Sequence, residues 1–207
     1  MRDMSNGTSL REHVLLFSRF LRSPRTVGAV MPSSRATAEA MVADLTFQDG
    51  DRIVELGPGT GVFTSAIIER LRPGSRLLAV EIDPAFVERV QRRWPTIACV
   101  CGSAEHLDAI VSNQDMGPVD HILSGLPFAS LPPVVTHNIL ESVTRVLRPG
   151  GTFTTFQYLH AYLMPSAAAF RAQMREKMGG APHARLVVRN FPPALILTWK
   201  KALGSGV

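Results

Sequence analysis

No run of roughly 18 apolar residues occurs in the chain, which excludes a membrane-spanning helix of ordinary length. The opening residues Met1-Arg2-Asp3-Met4-Ser5-Asn6-Gly7-Thr8 lack an apolar signal core, so a cytosolic protein is expected. Cysteine is scarce. Cys99 and Cys101 stand two apart in the strand-like run Ile97-Ala98-Cys99-Val100-Cys101; both should point to one face, where they cannot readily bridge, and are expected as small buried core residues. No internal repeat or low-complexity tract stands out. Acidic residues are few at both ends: residues 1–35 hold six Lys or Arg against two Asp or Glu and residues 145–207 nine against one, while residues 36–144 hold seven against fourteen. If the two basic ends meet on one side of the fold, that side suits phosphates of nucleic acid or of anionic lipid; the alternative is cations scattered over solvated faces.

With 207 residues, 45% of them apolar, the chain can bury a full core as one domain, assigned to residues 36–207, with 1–35 as a short appendage. Its organising stretch is Ile53-Val54-Glu55-Leu56-Gly57-Pro58-Gly59-Thr60-Gly61-Val62-Phe63. A short apolar run turns on three glycines and continues into residues 64–71 with helical apolar spacing, which predicts a strand, a tight turn and a helix. Glycines allow positive φ and leave no side chain where a ligand must approach the backbone, and the helix start offers unpaired N–H groups. A dinucleotide site would want G-x-G-x-x-G; here the third glycine comes one residue early. The next unit, Arg76-Leu77-Leu78-Ala79-Val80-Glu81-Ile82-Asp83-Pro84, is a second buried-type strand that ends on an acid, and Glu81 stands where it can take both ribose hydroxyls of a nucleoside. Glu55 is a carboxylate in a run that should be buried, which is costly without a partner; a positively charged ligand would supply one. An acid before a G-x-G-x-G turn and an acid ending the next strand together resemble the S-adenosylmethionine site of class I methyltransferases.

Ahead of this core, residues 9–22 place Leu10, Val14, Phe17 and Leu21 on one helical face, with Leu16 and Phe20 beside them and Arg11, Ser18, Arg19 and Arg22 turned away. Such a helix either covers the sheet or lies in a membrane interface with its arginines on lipid phosphates. The loop 23–34 is bounded by prolines and unusually apolar, a lid over the cofactor or simply packed; Ser33 or Ser34 can cap a helix over 35–42. After the first two strands come a helix over 84–94, a third strand running into Gly102-Ser103-Ala104-Glu105-His106, and a fourth, Val119-Asp120-His121-Ile122-Leu123, running into Ser124-Gly125-Leu126-Pro127-Phe128. The end of the third strand is where this fold meets an adenine, so Ser103, Ala104 and Glu105 are candidates by position. A helix over 132–147 stops at Arg148-Pro149-Gly150-Gly151; a strand over 152–159, a helix over 166–178 and closing strands over 185–190 and 194–199 follow. The expected architecture is α/β and Rossmann-like: a seven-stranded, mostly parallel sheet with one antiparallel strand and helices on both faces.

Residues 23–34, Glu55-Leu56-Gly57-Pro58-Gly59-Thr60-Gly61, Glu81-Ile82-Asp83-Pro84 and Ser124-Gly125-Leu126-Pro127-Phe128 together resemble bacterial phospholipid N-methyltransferases of the small, soluble, membrane-associating type, over most of the chain from about Phe17 to Trp199. The resemblance implies S-adenosylmethionine as cofactor, held at Glu55, Gly57, Gly59, Thr60, Gly61, Glu81, Ile82, Ser103, Ala104 and Glu105, with Ser124, Gly125 and Leu126 near the transferred methyl. It implies phosphatidylethanolamine as substrate, methylated through mono- and dimethyl forms toward phosphatidylcholine by an enzyme held peripherally on the inner face of an anionic phospholipid membrane. No metal and no obligate protein partner are implied. The nearest competitor is an rRNA adenine dimethylase-like enzyme, or a small-amine methyltransferase on the same core. Enzymes acting on a base amine put Asn or Asp at the start of the fourth-strand turn, where this chain has Ser124 followed by Gly125, so nucleic acid is disfavoured. A lipid amine needs deprotonation and a place for a cation. Tyr158, His160 and Tyr162 are the candidates, with Phe128 opposite and aromatic faces for the methylated ammonium; Arg22 and Arg25 are assigned to the lipid phosphate, Phe17 and Phe20 to the bilayer. A non-catalytic lipid-binding protein on the same fold is the alternative of another class.

Overall fold

The computed structural model describes residues 35–190 and 192–203. The expected amphipathic helix, the proline-bounded loop, and with them Phe17, Phe20, Arg22 and Arg25, lie outside the described residues. The strands are β1 (Arg52–Leu56), β2 (Arg76–Glu81), β3 (Ala98–Cys101), β4 (Val119–Ser124), β5 (Leu147–Tyr158), β6 (His183–Val187) and β7 (Ala194–Lys200). The helices are α1 (Arg35–Ala43), α2 (Val62–Ile68), α3 (Pro84–Arg93), α4 (Leu107–Asn113), α5 (Pro133–Val146), α6 (Leu159–Tyr162) and α7 (Pro165–Met178). They build one sheet in the order β3-β2-β1-β4-β5-β7-β6. The first five strands pair in parallel, and β7 runs antiparallel between β5 and β6, the seven-stranded arrangement expected. Among the described residues no helix is long and apolar enough to cross a membrane.

Strand alternation explains the layering. Val54, Leu78, Ile122, Phe153 and Leu197 pack with Leu107, Ile139, Phe170 and Met174 from α4, α5 and α7. Their neighbours Ile53, Leu77, Leu123 and Ile196 pack with Met41, Val42, Phe63 and Ile67 from α1 and α2. Helices therefore cover both faces, and the central residues Ile53-Val54 of β1, Leu77-Leu78-Ala79-Val80 of β2 and Ile122-Leu123 of β4 are apolar in succession because neither of their faces meets water. Local chemistry sets the helix ends: α3 starts at Asp83, whose carboxylate accepts the Ala85 N–H at 2.9 Å, has Pro84 in its first turn and ends on Arg92 and Arg93, which complement the helix dipole.

Four expectations are corrected. Helix α4 was not anticipated; with seven residues and only Leu107 and Val111 buried, it offers a single apolar repeat. The Arg148-Pro149-Gly150-Gly151 signal does end α5, yet β5 already begins at Leu147 and carries the prolyl-glycyl stretch inside it. The pairing jumps from Val119 opposite Leu147 to His121 opposite Thr152, a bulge that absorbs the extra residues. Strand β6 begins at His183 and stops at Val187, anchored by Arg185, which donates from Nε to Asp44 at 2.9 Å. Of the cysteines, Cys99 is buried beside Ala79, Val87 and Val90, and burial pushes its thiol up to about 12. Cys101 is exposed at the end of an edge strand, where the sheet has no further neighbour to cover it.

Candidate functional site

Strand β1 has β2 and β3 on one side and β4 on the other, so successive connections leave it in opposite directions and a crevice opens beyond the strand ends, the usual ligand position in such sheets. The ladder runs straight into the turns that line this edge. Gly57 N–H donates to Val80 O at 2.9 Å, Gly102 N–H to Glu81 O at 2.9 Å and Gly125 N–H to Leu56 O at 2.8 Å. Gly57, Gly59 and Gly61 adopt φ of 70°, 53° and 83°, the left-handed region that favours glycine. Packing is equally restrictive. A Cβ on Gly57 would lie 2.9 Å from Leu126 Cδ2, one on Gly125 2.8 Å from Gly57 O, and one on Gly61 2.4 Å from the Trp94 ring. Bare backbone is thus what lets the turns after β1 and β4 sit on each other. Gly61→Ala combines the strained φ with the Trp94 collision and is expected to cost about 2–4 kcal/mol, lowering Tm by about 5–10 °C; thermal unfolding should show a smaller loss in a Trp94→Leu background.

The carboxylates set the electrostatics. Glu55 is fully buried; its Oε2 accepts the Thr64 hydroxyl at 2.7 Å and its Oε1 has no hydrogen-bond partner. Burial pushes its pKa up to about 8, and the charge of Glu81 adds to the rise. Glu81, also buried, receives the N–H groups of Gly59 at 3.0 Å, Ile82 at 2.8 Å and Asp83 at 3.1 Å. Burial raises its pKa while those three donors pull it back. Neither Glu55 nor Glu81 has an ion pair among the described residues. A buried carboxylate oxygen left without a donor, a backbone turn stripped of side chains and a second carboxylate clamped to that turn fit a ligand that brings positive charge and hydroxyl donors.

The remaining positions divide. Ile82 is half-buried beside Glu81, and Thr60 is exposed at the outer tip of the turn. Ser103 Oγ accepts the Glu105 N–H at 3.3 Å, Ala104 packs on the core, and Glu105 receives the Asn138 amide at 3.0 Å, so these three close the end of β3 beside the crevice. Ser124 is buried and turned inward: its Oγ accepts the Leu126 N–H at 3.3 Å. Glu55, Glu81, the glycines and the 124–126 turn are brought together; of the aromatic set, Tyr158 and His160 stand together and Phe128 does not join them. Phe128 is buried in the core with its ring stacked on Phe170 at 4.3 Å, a correction to its assignment opposite Tyr158, because the turn after β4 carries it to the α7 side of the sheet. Tyr158 is buried on the other face, edge-on to Phe156 at 5.3 Å and stacked parallel with exposed His160 at 5.8 Å. One face of Tyr162 carries the Arg171 guanidinium at 3.7 Å, so that face is closed to an ammonium. Sequence reasoning missed Thr64, Trp94, Asn138 and Arg171. Of these only Thr64 had a signal, a hydroxyl one turn into the helix that follows the glycines.

A family described as Methyltransferase domain matches residues 53–151. The chain is 29% identical over 147 residues to an ornithine lipid N-methyltransferase of Singulisphaera acidiphila, covering 70% of this chain and 77% of that one. It is 30% identical over 122 residues to a probable ribosomal RNA small subunit methyltransferase A of Methanospirillum hungatei, covering 59% of this chain and 41% of that one, so it spans less than half the length of the ribosomal RNA relative. Among solved structures, a 1,6-didemethyltoxoflavin-N1-methyltransferase of Burkholderia thailandensis with bound S-adenosylhomocysteine shares the fold at a TM-score of 0.67 and 19% identity, covering 98% of this chain and 93% of that one. The acid-flanked glycine turn at the switch point of a seven-stranded sheet, together with these matches, gives the chain a Rossmann-like methyltransferase fold whose residues 53–151 match a methyltransferase domain, with S-adenosylmethionine as the cofactor the site fits.

Proposed function

We propose that the chain N-methylates the primary amine of a membrane lipid headgroup, with phosphatidylethanolamine, carried through mono- and dimethyl forms toward phosphatidylcholine, as the substrate. The observation that carries this reading is the turn after β4. Ser124 is turned inward onto the Leu126 N–H and Gly125 has no side chain and no room for one, so these two positions offer no outward side-chain acceptor to orient a weakly basic base amine. An alkylamine needs none: once deprotonated it is a strong nucleophile, and holding its lone pair in line does most of the work. The ornithine lipid N-methyltransferase relative supports the same chemistry, an amine on a lipid.

S-adenosylmethionine, when bound, supplies a methyl group on a positively charged sulfur. Glu55, Gly57, Gly59, Thr60, Gly61, Glu81, Ile82, Ser103, Ala104 and Glu105 would hold it, with Ser124, Gly125 and Leu126 near the transferred methyl. The substrate ammonium, with a pKa near that of lysine at about 10.4, must lose a proton before each transfer. An apolar rim lowers that pKa, and exposed His160, oriented by its stack on buried Tyr158, accepts the proton and passes it to solvent. Phe17, Phe20, Arg22 and Arg25 contact the anionic membrane. His160→Ala is expected to lower kcat on the lipid amine by about a hundredfold and to leave cofactor affinity within about twofold; initial rates and calorimetry separate the two.

The direct test supplies cofactor labelled in its methyl group to vesicles containing phosphatidylethanolamine, to vesicles containing an ornithine lipid, and to structured ribosomal RNA. Label in phosphatidylethanolamine is the expected result. Label only in the ornithine lipid keeps the lipid-amine chemistry and replaces the substrate, and label only in RNA overturns the reading in favour of the ribosomal relative.

A further inference from the structure

Four large apolar side chains stand in solvent on one edge of the fold. Leu159 is 45% exposed, Leu163 86% and Met164 44%, all at or beside α6, and Val188, just past β6, is 70% exposed. Backbone register joins the two groups. Tyr158 ends β5 and Val187 ends β6, both opposite Ala194 at the start of β7, and the Leu159 N–H donates to Pro193 O at 2.8 Å. All four therefore lie at the strand-end edge on which Gly57, Glu81 and Gly125 stand. A soluble surface seldom gathers apolar side chains in this way without a use for them.

Their presentation is tethered. Tyr162, one residue before Leu163, is pinned by Arg171 at 3.7 Å, and Arg171 in turn donates to Gln157 Oε1 at 2.8 Å. Along the segment that carries these side chains the charge is of one sign apart from Glu176: after Glu141 that is the only acidic residue in the sequence, and Arg189 is exposed directly beside Val188. Apolar tips with flanking arginines and no neighbouring acid in sequence complement the interface of an anionic bilayer, where the tips enter the acyl boundary and the cations meet phosphates. The opposite edge serves as a comparison. Leu203 is 75% exposed there, beyond the end of β7 and beside Gly150 near the start of β5, where a lipid amine would be a sheet's width from the cofactor turn.

We propose that Leu159, Leu163, Met164 and Val188, with Arg189, form a membrane-docking rim of the folded domain itself, which seats the open strand ends on an anionic bilayer. It rests on the lipid-amine reading for its purpose: an amine in the headgroup layer reaches the cofactor turn only if this edge faces the membrane.

The full chain and its Leu163→Ser/Val188→Ser variant are compared by flotation with vesicles of phosphatidylglycerol and phosphatidylethanolamine, alongside Leu203→Ser and a second pair, Leu159→Ser/Met164→Ser. Circular dichroism and thermal unfolding check each fold. Both rim pairs are expected to lower vesicle partitioning by about tenfold while Leu203→Ser leaves it unchanged. Methyl transfer to vesicles should fall with partitioning, and transfer to a short-chain, monomerically dispersed phosphatidylethanolamine should not. Equal partitioning of parent and rim variants, equal loss with Leu203→Ser, or a parent dimer that the rim pairs dissociate in light scattering each overturn the docking surface. If the parent methylates no lipid and the rim pairs still abolish flotation, the substrate reading fails and the docking surface stands.

Discussion

Glu81→Ala is expected to weaken S-adenosylmethionine binding by about two to three orders of magnitude while the chain stays folded. Two hydroxyl donors to one buried carboxylate that already accepts three N–H groups are worth about 1.5–2 kcal/mol each, and about 3–4 kcal/mol in total is a factor of a few hundred to a thousand in affinity. The geometry adds a second route to the same loss. Glu81 receives the Gly59 N–H at 3.0 Å, so it also sets the conformation of the glycine turn, and alanine would leave that turn less ordered before any ligand arrives. Removing three backbone partners, Gly59, Ile82 and Asp83, lowers stability, but part of that loss is offset because burial already penalises the charge. A fall in Tm of about 5–10 °C is the expected cost. Calorimetric titration with the cofactor measures the affinity, and an unchanged dissociation constant would remove Glu81 from the ribose. Glu81→Asp separates the two routes: it keeps the charge but shortens the reach to Gly59, so an affinity between those of parent and alanine variant is expected.

The parts of this site that were legible in the sequence are those written by short-range rules. Glycines at alternate positions after an apolar run announce a turn with bare backbone, and an acid within or ending such a run announces a buried charge that needs a partner; Gly57, Gly59 and Gly61 meet the first condition, and Glu55 and Glu81 the second. The strand count was legible because β1, β2 and β4 are buried on both faces and each carries a short apolar run, Ile53-Val54, Leu77-Leu78-Ala79-Val80 and Ile122-Leu123. What failed depended on tertiary position. Phe128 and Tyr158 are on opposite faces of the sheet: strand alternation in β5 sets Tyr158, and the turn after β4, which no local pattern directs, sets Phe128 against Phe170. Cys101 shares a face with Cys99, yet it is exposed because β3 is an edge strand and Cys101 is its last residue, which no local pattern records. A proline-glycine-glycine stop signal correctly ended α5 but gave no hint that β5 would resume within it through a bulge. The partners Trp94 on Gly61 and Arg171 on Tyr162 likewise arise from elements packed side by side, and their spacing along the chain carries no information.

Cofactor binding at neutral pH is expected to release a proton from Glu55. In the unliganded fold this carboxyl is fully buried with one oxygen lacking a partner, and its pKa is pushed from 4.5 up to about 8, first by burial and then by the charge of Glu81. The folded state therefore keeps a proton that the unfolded chain gives up, and between 4.5 and about 8 stability falls as pH rises, by at most about 1.4 kcal/mol per pH unit. The Tm of the unliganded protein should drift down across that window, and Glu55→Gln should flatten the drift. A positively charged ligand reverses the balance by stabilising the ionised carboxylate, so its binding drives the proton off. Calorimetry at pH 7 in phosphate and in Tris, which differ widely in ionisation enthalpy, should give different apparent enthalpies that correspond to about half a proton or more per cofactor. Glu55→Gln should abolish that difference and weaken binding by about ten- to a hundredfold at pH 8.5, where the native carboxylate is charged, with a smaller loss at pH 6. Identical enthalpies in the two buffers, together with an affinity that Glu55→Gln leaves unchanged at both pH values, would show that the buried acid faces no cation and serves only to fix Thr64 and the first turn of α2.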